Sequence, residues 1–297
     1  MLLAVCMTVV IGAGAIVIDA GQIWSQRREL VTAADAAAAS YAEKDNGCAG
    51  PAQAYVAANT STGDLASCSR TGTGTNGTVT VRAEALVTHQ LAALLGRTST
   101  NVGAESTVYF GPASGLSGLR PFGLCSESLG YQAWQASSHS TTDIFRIYYS
   151  KDSQSQCGGN APGNWALIDF DAGSNPLSET REWVRNGYPG KVNVPVWDEG
   201  DPGSFSGSMD IDTIVGQEVF LPIFDNATGT GSTSSFHLIG FVSVIIHGFI
   251  ANGAEANRYL DVQFTTAVVS GTCCDGGVDG GLFAVGLCKV DNQGVCP

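Results

Sequence analysis

Charged side chains are scarce in this chain, since Asp, Glu, Lys and Arg together make up 14% of its 297 residues. The 14 basic residues are spread thinly and are outnumbered by 27 acidic ones, so the formal net charge is −13. A surface that binds nucleic acid needs clustered Lys and Arg to neutralise phosphates. The composition therefore excludes nucleic acid as a partner.

Sequence signatures of catalysis and metal binding are also missing. The chain has four histidines, and it has no nucleophile elbow (G-x-S-x-G), P-loop, H-E-x-x-H or C-x-x-C. His139 lies near Ser and Asp in ASSHSTTD, but a loop histidine explains that stretch better than a catalytic triad. His237 and His247 alternate with apolar residues and are expected on strand faces. We therefore predict a protein that is not an enzyme, with no catalytic residue, cofactor, bound metal or small-molecule substrate.

Two acidic clusters beside glycines keep calcium binding open as an alternative. One is WDEGDPG, with Asp198, Glu199 and Asp201, and the other is CCDGGVDGG, with Asp275 and Asp279. Carboxylates next to glycines occur in calcium loops, but neither stretch matches the EF-hand pattern. Ordinary acidic turns are the favoured interpretation.

The distribution of the nine cysteines indicates an exported, disulfide-bonded region. Cys6 lies within an apolar N-terminal run, and all the others follow that run: Cys48, Cys68, Cys125, Cys157, Cys273, Cys274, Cys288 and Cys296. An even number of cysteines outside such a run favours disulfides over free or metal-bound thiols. Closeness in sequence suggests the pairs Cys48–Cys68 and Cys125–Cys157 and pairing within the last four, but the connectivity stays open.

Turn-forming residues are abundant and separate short apolar runs, which is typical of a β-rich protein. The sequence around 78–110 predicts a strand, a short helix and a second strand, with Thr88 as a helix N-cap. The run FVSVIIHGFI is too short to span a membrane and is expected to form a central buried strand. We predict an α+β fold, with a long N-terminal membrane-spanning helix followed by a mostly β exported region. The predicted divisions are a transmembrane, pilin-like helix, a strand–helix–strand module packed on it, a β-rich ectodomain and a cysteine-rich tail, at residues 1–45, 46–115, 116–272 and 273–297.

The N-terminal run MLLAVCMTVVIGAGAIVI contains no charge, and its only polar side chain is Thr8. Its length is at the lower end of what crosses a bilayer as a helix. A signal peptide is the alternative, but a basic n-region is missing and helix-forming residues continue beyond the run without a turn signal. One helix from residue 2 to residue 44 would be about 60 Å long and would project beyond the membrane.

The segment that follows, IDAGQIWSQRRELVTAADAAAASYA, combines an acidic residue, a tryptophan, a basic pair and an alanine tract. Asp19 marks the end of the apolar run, and Trp24 suits the headgroup level of a bilayer. Arg27 and Arg28 could reach lipid phosphates or the carboxylates of a partner. The alanine tract at 33–39 permits close approach of another backbone, although a simply stable helix explains it equally well.

This segment resembles the N-terminal module of TadE/TadG-like proteins of the tight-adherence (Flp) pilus assembly system. Members run an apolar segment into Asp-x-Gly, an Arg-Arg pair and a Thr-Ala-Ala-Asp-Ala-type stretch, which correspond here to Asp19 and Gly21, Arg27 and Arg28, and 32–38. A looser similarity to TadG-like ectodomains covers most of the rest, in RPFGLC, APGNWALIDFDAG, VRNGYPGKVNVPVWDEGDPG, VFLPIFDNA and IGFVSVIIHGFIANG. The cysteine-rich tail lies outside this resemblance.

The resemblance implies a membrane-anchored exported accessory protein or a minor-pilin-like component of the pilus. The D-x-S-x-S metal motif of the von Willebrand A domains found in some members does not occur here. Pilins processed by prepilin peptidase usually carry Glu at mature position 5, and this chain has Val5. Either its true start differs, or it is not processed as a major pilin is.

Together these features predict a non-enzymatic, single-pass protein of the cell membrane, with most of the chain at the cell surface. Its predicted partners are the membrane, through the N-terminal helix, and other pilus components or copies of itself. In a filament, Asp19 would meet Arg27 or Arg28 of a neighbour. The alternative is a cell-surface adhesion module for carbohydrate or protein, with Trp134, Trp165 or Trp197 as contacts.

Overall fold

The chain folds into two compact units that are mostly β with some helices. Unit 1 comprises Met1–Phe110 with Gly286–Pro297, and unit 2 comprises Gly111–Val285. The computed structural model describes residues 2–41, 49–73, 76–137, 139–149, 157, 166–172, 176–200, 209–229, 233–252, 257–273 and 277–290. The mostly β, α+β character predicted from the turn-rich sequence is confirmed.

Two helices open unit 1. Helix α1 runs without a break over Leu2–Tyr41, as the absence of turn signals after the apolar run predicts. Helix α2 covers Ala49–Asn59, a helix that the sequence did not lead us to predict. The reason is local: AGPAQAYVAAN is rich in alanine, and its proline stands in the first turn, where a backbone N–H has no helical partner to lose.

Three antiparallel strands complete the described core of unit 1: β1 (Gly63–Thr73), β2 (Asn76–Thr88) and the first part of β3 (Ser99–Leu116). The two strands predicted between 78 and 110 are confirmed as β2 and β3. The short helix between them is a single 3₁₀ turn, Ala92–Leu95, whose N-cap is Leu91, so Thr88 is not the cap. Gly96 ends that turn with a φ of 88°, a conformation that glycine adopts without strain.

Helix α1 packs on its own unit through the alanine tract. Leu30 and the alanines at 33, 34, 37 and 38 are fully buried, and α1 contacts both α2 and β2. The facing surfaces include Ala52 and Val56 of α2 and Val79 and Val81 of β2, which are also fully buried. Small side chains allow these elements to approach closely. The backbone that approaches the alanine tract therefore belongs to the same chain.

Unit 2 is built on a mostly antiparallel sheet. Its long strands are β9 (Glu218–Thr228) and β10 (Ser235–Ile250), flanked by β4 (Leu124–Cys125) on one side and by β11 (Tyr259–Thr265) and β5 (Ile144–Tyr148) on the other. Among the described strand pairs of this sheet, only β4 runs parallel to its neighbour β9. Strand β8 (Val196–Gly200) also pairs with β10, and β6 (Ile168–Asp169) pairs with β8. The remaining elements are β7 (Val192–Asn193), β12 (Ala267–Val269), β13 (Thr272–Cys273), β14 (Leu282–Val290), α3 (Leu129–Ala136) and α4 (Leu177–Asn186).

Strand β10 supplies much of the hydrophobic core of unit 2. Its fully or almost fully buried side chains are Phe236, Leu238, Phe241, Val242, Val244 and Ile246. This confirms the prediction that FVSVIIHGFI forms a central buried strand. Both faces of its middle part are covered, because burial there is continuous and does not alternate.

The membrane span expected at residues 1–18 falls largely on positions whose side chains are not described, namely 1–13 and 15. In the part of the chain that the structure describes, there is no helix long and apolar enough to cross a membrane.

The predicted disulfide Cys125–Cys157 is confirmed, with the two Cα atoms 5.9 Å apart. Cys68 and Cys273 are disulfide-bonded as well. Cys48, Cys274 and Cys296 lie outside the described residues, as do the side chains of Cys6 and Cys288. The pairings suggested for them remain predictions.

Candidate functional site: the outward face of the N-terminal helix

Asp19 joins α1 to the turn that follows β2. Its carboxylate accepts backbone N–H groups from Gln90 at 3.0 Å, Leu91 at 3.3 Å and Ala92 at 2.6 Å. These donors surround the start of the 3₁₀ turn, where N–H groups have no partner within the turn. Asp19 is 4% exposed. An aspartate at the end of the apolar run is therefore explained by contacts within the chain.

The contact favours the charged carboxylate. The hydrogen bond from the Ala92 amide, followed by those from Gln90 and Leu91, lowers the pKa of Asp19, and His89 adds an electrostatic contribution in the same direction. Both carboxylate oxygens are occupied by backbone donors. Asp19 is thus already engaged within its own chain, and the hypothesis that it meets Arg27 or Arg28 of a neighbouring copy stays a prediction.

Replacing Asp19 by alanine should release this turn from α1. Three backbone donors lose their acceptor, and an unsatisfied buried donor is costly, so we expect exchange of the 90–92 amides to rise about 10- to 100-fold. Asp19→Asn keeps one acceptor oxygen and should give an intermediate rise. Hydrogen–deuterium exchange read by mass spectrometry measures this, with Ser25→Ala on the exposed face of α1 as the control. Unchanged protection of 90–92 in Asp19→Ala would contradict the assignment.

The opposite face of α1 is uncovered in unit 1. The aliphatic residues Ile16, Val17 and Ile18 are 69%, 70% and 50% exposed, and Trp24 is 65% exposed. We call the surface formed by Trp24, Arg27, Arg28 and Thr32 the outward face, since the three consecutive aliphatic residues point to different sides of the helix. Because Trp24, Arg28 and Thr32 are spaced by four residues, they form a stripe along one side of the helix. An aromatic, a basic and a hydroxyl side chain thus follow one another along this stripe.

The stripe contains two shallow hollows that share Trp24, Arg28 and Thr32. One has a volume of about 390 Å³ and is also lined by Gly21, Ser25, Glu29 and Asn59. The other, of about 280 Å³, adds Arg27 and Val31. The Arg28 guanidinium lies 5.4 Å from the centre of the Trp24 ring, which holds both groups above the helix surface. Such a surface can receive side chains of another helix, but it lacks the paired acid and base that catalysis requires.

The histidines singled out in the sequence do not form a triad. His139 Nε2 lies 2.8 Å from Gln135 Oε1, whereas Ser140 Oγ donates directly to Asp143 Oδ2 at 2.6 Å. His247 Nε2 lies 2.8 Å from Gln263 Oε1 on the neighbouring strand. Each contact satisfies a surface or strand polar group and brings no nucleophile to an imidazole.

The acidic clusters are only partly described. Asp201 and Asp275 lie outside the described residues. Burial, with the nearby Asp169 carboxylate, raises the pKa of Asp198 to about 6. Among the residues with described positions, no group of three His, Cys, Asp or Glu side chains is arranged to hold a metal ion.

The three tryptophans proposed as adhesive contacts do not share one exposed face. Trp134 is fully buried in the core of unit 2, so its assignment as a surface contact is wrong. Trp197 is 48% exposed, and Trp165 lies outside the described residues. Sequence spacing gave no signal for this difference.

Comparison with known proteins assigns the N-terminal segment and leaves the rest unassigned. No curated protein and no solved structure matches the chain. The looser resemblance of the later segments to TadG-like ectodomains therefore stays a prediction. The segment that carries Asp19, Trp24, the arginine pair and the alanine tract is different: residues 1–44 match the family model of putative Flp pilus-assembly TadE/G-like proteins, and the resemblance seen in the sequence is confirmed for this segment.

Proposed function

We propose that the chain is a non-enzymatic component of a Tad-type pilus system and that it acts through the outward face of α1. One observation carries the proposal. The family match covers residues 1–44, and this same helix buries its alanine face in unit 1 while leaving Trp24 and the 16–18 aliphatic residues exposed. An exposed aromatic ring, with exposed aliphatic side chains on the same helix, is typical of a surface that another molecule covers. The helix is therefore fixed on one side and available on the other.

The occupant of the outward face is a helix of another pilus component or of a second copy. A helix lays its apolar side chains into such a stripe at intervals of three and four residues. Arg27 and Arg28 add a positive charge that complements an acidic partner, and the chain itself has a net charge of −13. A contact between copies is thus electrostatically permitted if Arg27 and Arg28 face acidic side chains.

The first turns of α1 would anchor the protein to the cell membrane, with the two units at the cell surface. The run at residues 1–18 has no charge, and its last three residues are exposed aliphatic side chains. Trp24 would then lie at headgroup level, and the arginine pair would reach lipid phosphates. Anchoring is compatible with both an assembly accessory, which stays in the membrane, and a filament subunit, whose helix leaves it for the filament core.

Site-specific photocrosslinking tests the occupant of the outward face. A benzophenone amino acid placed at Trp24 should form crosslinks to an identified pilus protein or to a second copy in intact cells. The matched control places the same group at Leu129, which is 75% exposed in unit 2. Crosslinks from position 24 to lipid alone, or equal protein crosslinks from position 129, would overturn the proposed helix contact.

Electron microscopy of the native protein separates the two roles. Filaments with α1 at their centre would make the chain a subunit, and single detergent-bound particles would make it an accessory protein. Arg28→Glu should reduce crosslinking at position 24 in either case, because it reverses a charge in the stripe. Thr32→Ser, in the same hollows, is the conservative control and should leave it unchanged.

A further inference from the structure

A small aromatic surface lies on unit 2, well separated in sequence from α1. Trp197 of β8 faces His237 of β10 across the strand pair, and their ring centres are 5.0 Å apart with planes tilted by 34°. One side of the indole rests against the imidazole, and 48% of Trp197 remains exposed. The ring is thus held in place while part of its surface faces solvent.

A β-bulge fixes the imidazole. The register of β9 and β10 shifts between His237 and Leu238, so Asp225 is the extra residue of β9 at this point. His237 Nδ1 lies 2.7 Å from Asp225 Oδ1, and because a carboxylate only accepts, Nδ1 donates. No other described residue hydrogen-bonds this imidazole, so Nε2 remains available to a ligand.

Polar side chains surround the tryptophan on the same sheet face. Glu199 is two residues from Trp197 on β8 and therefore points to the same side, and it is exposed. Asn226 pairs with His237 and is exposed, and Ser235 pairs with Glu199. The surface therefore combines one exposed aromatic ring with acceptors and donors of hydrogen bonds on two sides.

We propose that this surface binds a neutral or amino sugar unit of a glycan, with Trp197 stacking on the sugar ring. An indole offers a flat apolar face, while hydroxyl groups need the acceptors and donors that Glu199, Asn226 and His237 supply. A stable protein partner would instead cover about 800 Å² and would need several exposed apolar residues. The residues that neighbour Trp197 on the paired strands are instead polar: Glu199, Asn226, Ser235 and Thr228.

The charges of the surface define the class of sugar. Glu199 and Asp225 carry carboxylates beside Trp197, so a uronic acid or sialic acid would meet like charge. Neutral sugars avoid this repulsion, and the ammonium of an amino sugar would be attracted to the two carboxylates. The inference is independent of the proposed role of α1, because it rests on unit 2 alone.

Titration of the full chain with defined oligosaccharides tests the inference. Chitohexaose, cellohexaose and chitosan hexamer serve as neutral and amino probes, and an oligoguluronate hexamer serves as the acidic probe, with binding followed by calorimetry. Saturable binding of a neutral or amino probe, at least tenfold tighter than that of the acidic one, is expected. Trp197→Ala should weaken it about tenfold or more, and Trp197→Tyr should retain part of it.

Two controls keep the test specific. Trp24→Ala removes a second strongly exposed tryptophan, outside unit 2, and should leave glycan binding unchanged. Circular dichroism melting shows that each variant is folded. The inference is overturned if no neutral or amino probe binds, or if a folded Trp197→Ala protein binds as the parent does. Preferential binding of the acidic probe would overturn the assigned sugar class.

Discussion

Trp134→Ala is expected to lower the free energy of unfolding of unit 2 by about 3–5 kcal/mol. Trp134 is fully buried, and its ring stacks on Phe264 with 4.4 Å between ring centres and planes 17° apart. The His139 imidazole lies 4.6 Å from it, and Trp134 Nε1 donates to the Ser140 carbonyl at 3.1 Å. Truncation leaves a large cavity and removes the donor for that carbonyl, and both effects act in the same direction.

Urea denaturation followed by circular dichroism measures the loss. Trp134→Phe keeps an aromatic ring and should cost markedly less than alanine. Trp197→Ala is the matched control, because it makes the same substitution at a half-exposed site, where we expect about 1 kcal/mol or less. If Trp134→Ala proved as mild as Trp197→Ala, Trp134 could not be a core residue.

This pair of variants also separates two roles for tryptophan that the sequence presents as equivalent. Trp134 and Trp197 both seemed suitable as adhesive contacts, because aromatic residues serve both cores and binding surfaces. Their difference arises from tertiary packing: α3 lays Trp134 on the sheet, whereas β8 presents Trp197 outward. A loss of stability without a change in sugar binding is the expected signature of Trp134, and the reverse is expected of Trp197.

The local sequence pattern was sufficient to predict those elements whose structure depends mainly on their own residues. The continuity of α1 follows from helix-forming residues without a turn signal, and the central position of β10 follows from an apolar run too short for a membrane. Helix α2 was missed, although glycine and proline stand only near its start. Their position in the first turn, followed by an alanine-rich stretch, was the signal that could have found it.

The Asp19 contact could not be read from the sequence for a different reason. Its partners are backbone N–H groups of residues 90–92, and every residue except proline carries such a donor. Side-chain identity therefore gives no hint that a carboxylate 71 positions earlier will bind there. A charged partner for Asp19 was expected in Arg27 or Arg28, because they are the nearest oppositely charged residues in the sequence.

The buried and the exposed side chains of α1 have different contacts. Alanines and Leu30 fix the helix to its own unit, and Asp19 holds the turn after β2. The exposed tryptophan and the arginine pair lie on the other side. The segment that matches the family model thus contains both the contacts that fix the helix to its unit and the side chains that stay exposed.

Removal of the Cys125–Cys157 disulfide is the second large effect. The bridge joins positions separated by 32 residues, and the chain-entropy relation for a loop of this length gives a loss of about 3–4 kcal/mol. Cys125→Ala with Cys157→Ala is the appropriate double variant, because both sulfurs are buried and serine would add an unsatisfied hydroxyl. Denaturant unfolding at fixed pH measures the loss, and peptide mapping under non-reducing conditions verifies the bridge in the parent.

Reduction of the parent tests whether the loss in the double variant comes from the bridge itself. A thiol reductant should destabilise the parent by breaking Cys125–Cys157, which the double variant no longer contains. The other disulfide cysteines, Cys68 and Cys273, are reduced in both proteins and affect both equally. The difference between the two proteins therefore isolates Cys125–Cys157. A difference below about 1 kcal/mol would mean that packing of Ile168, Phe224 and Phe236, which share a hydrophobic cluster with Cys125, holds this region without the bridge. A full loss would show that this turn-rich unit depends on the bridge for its stability.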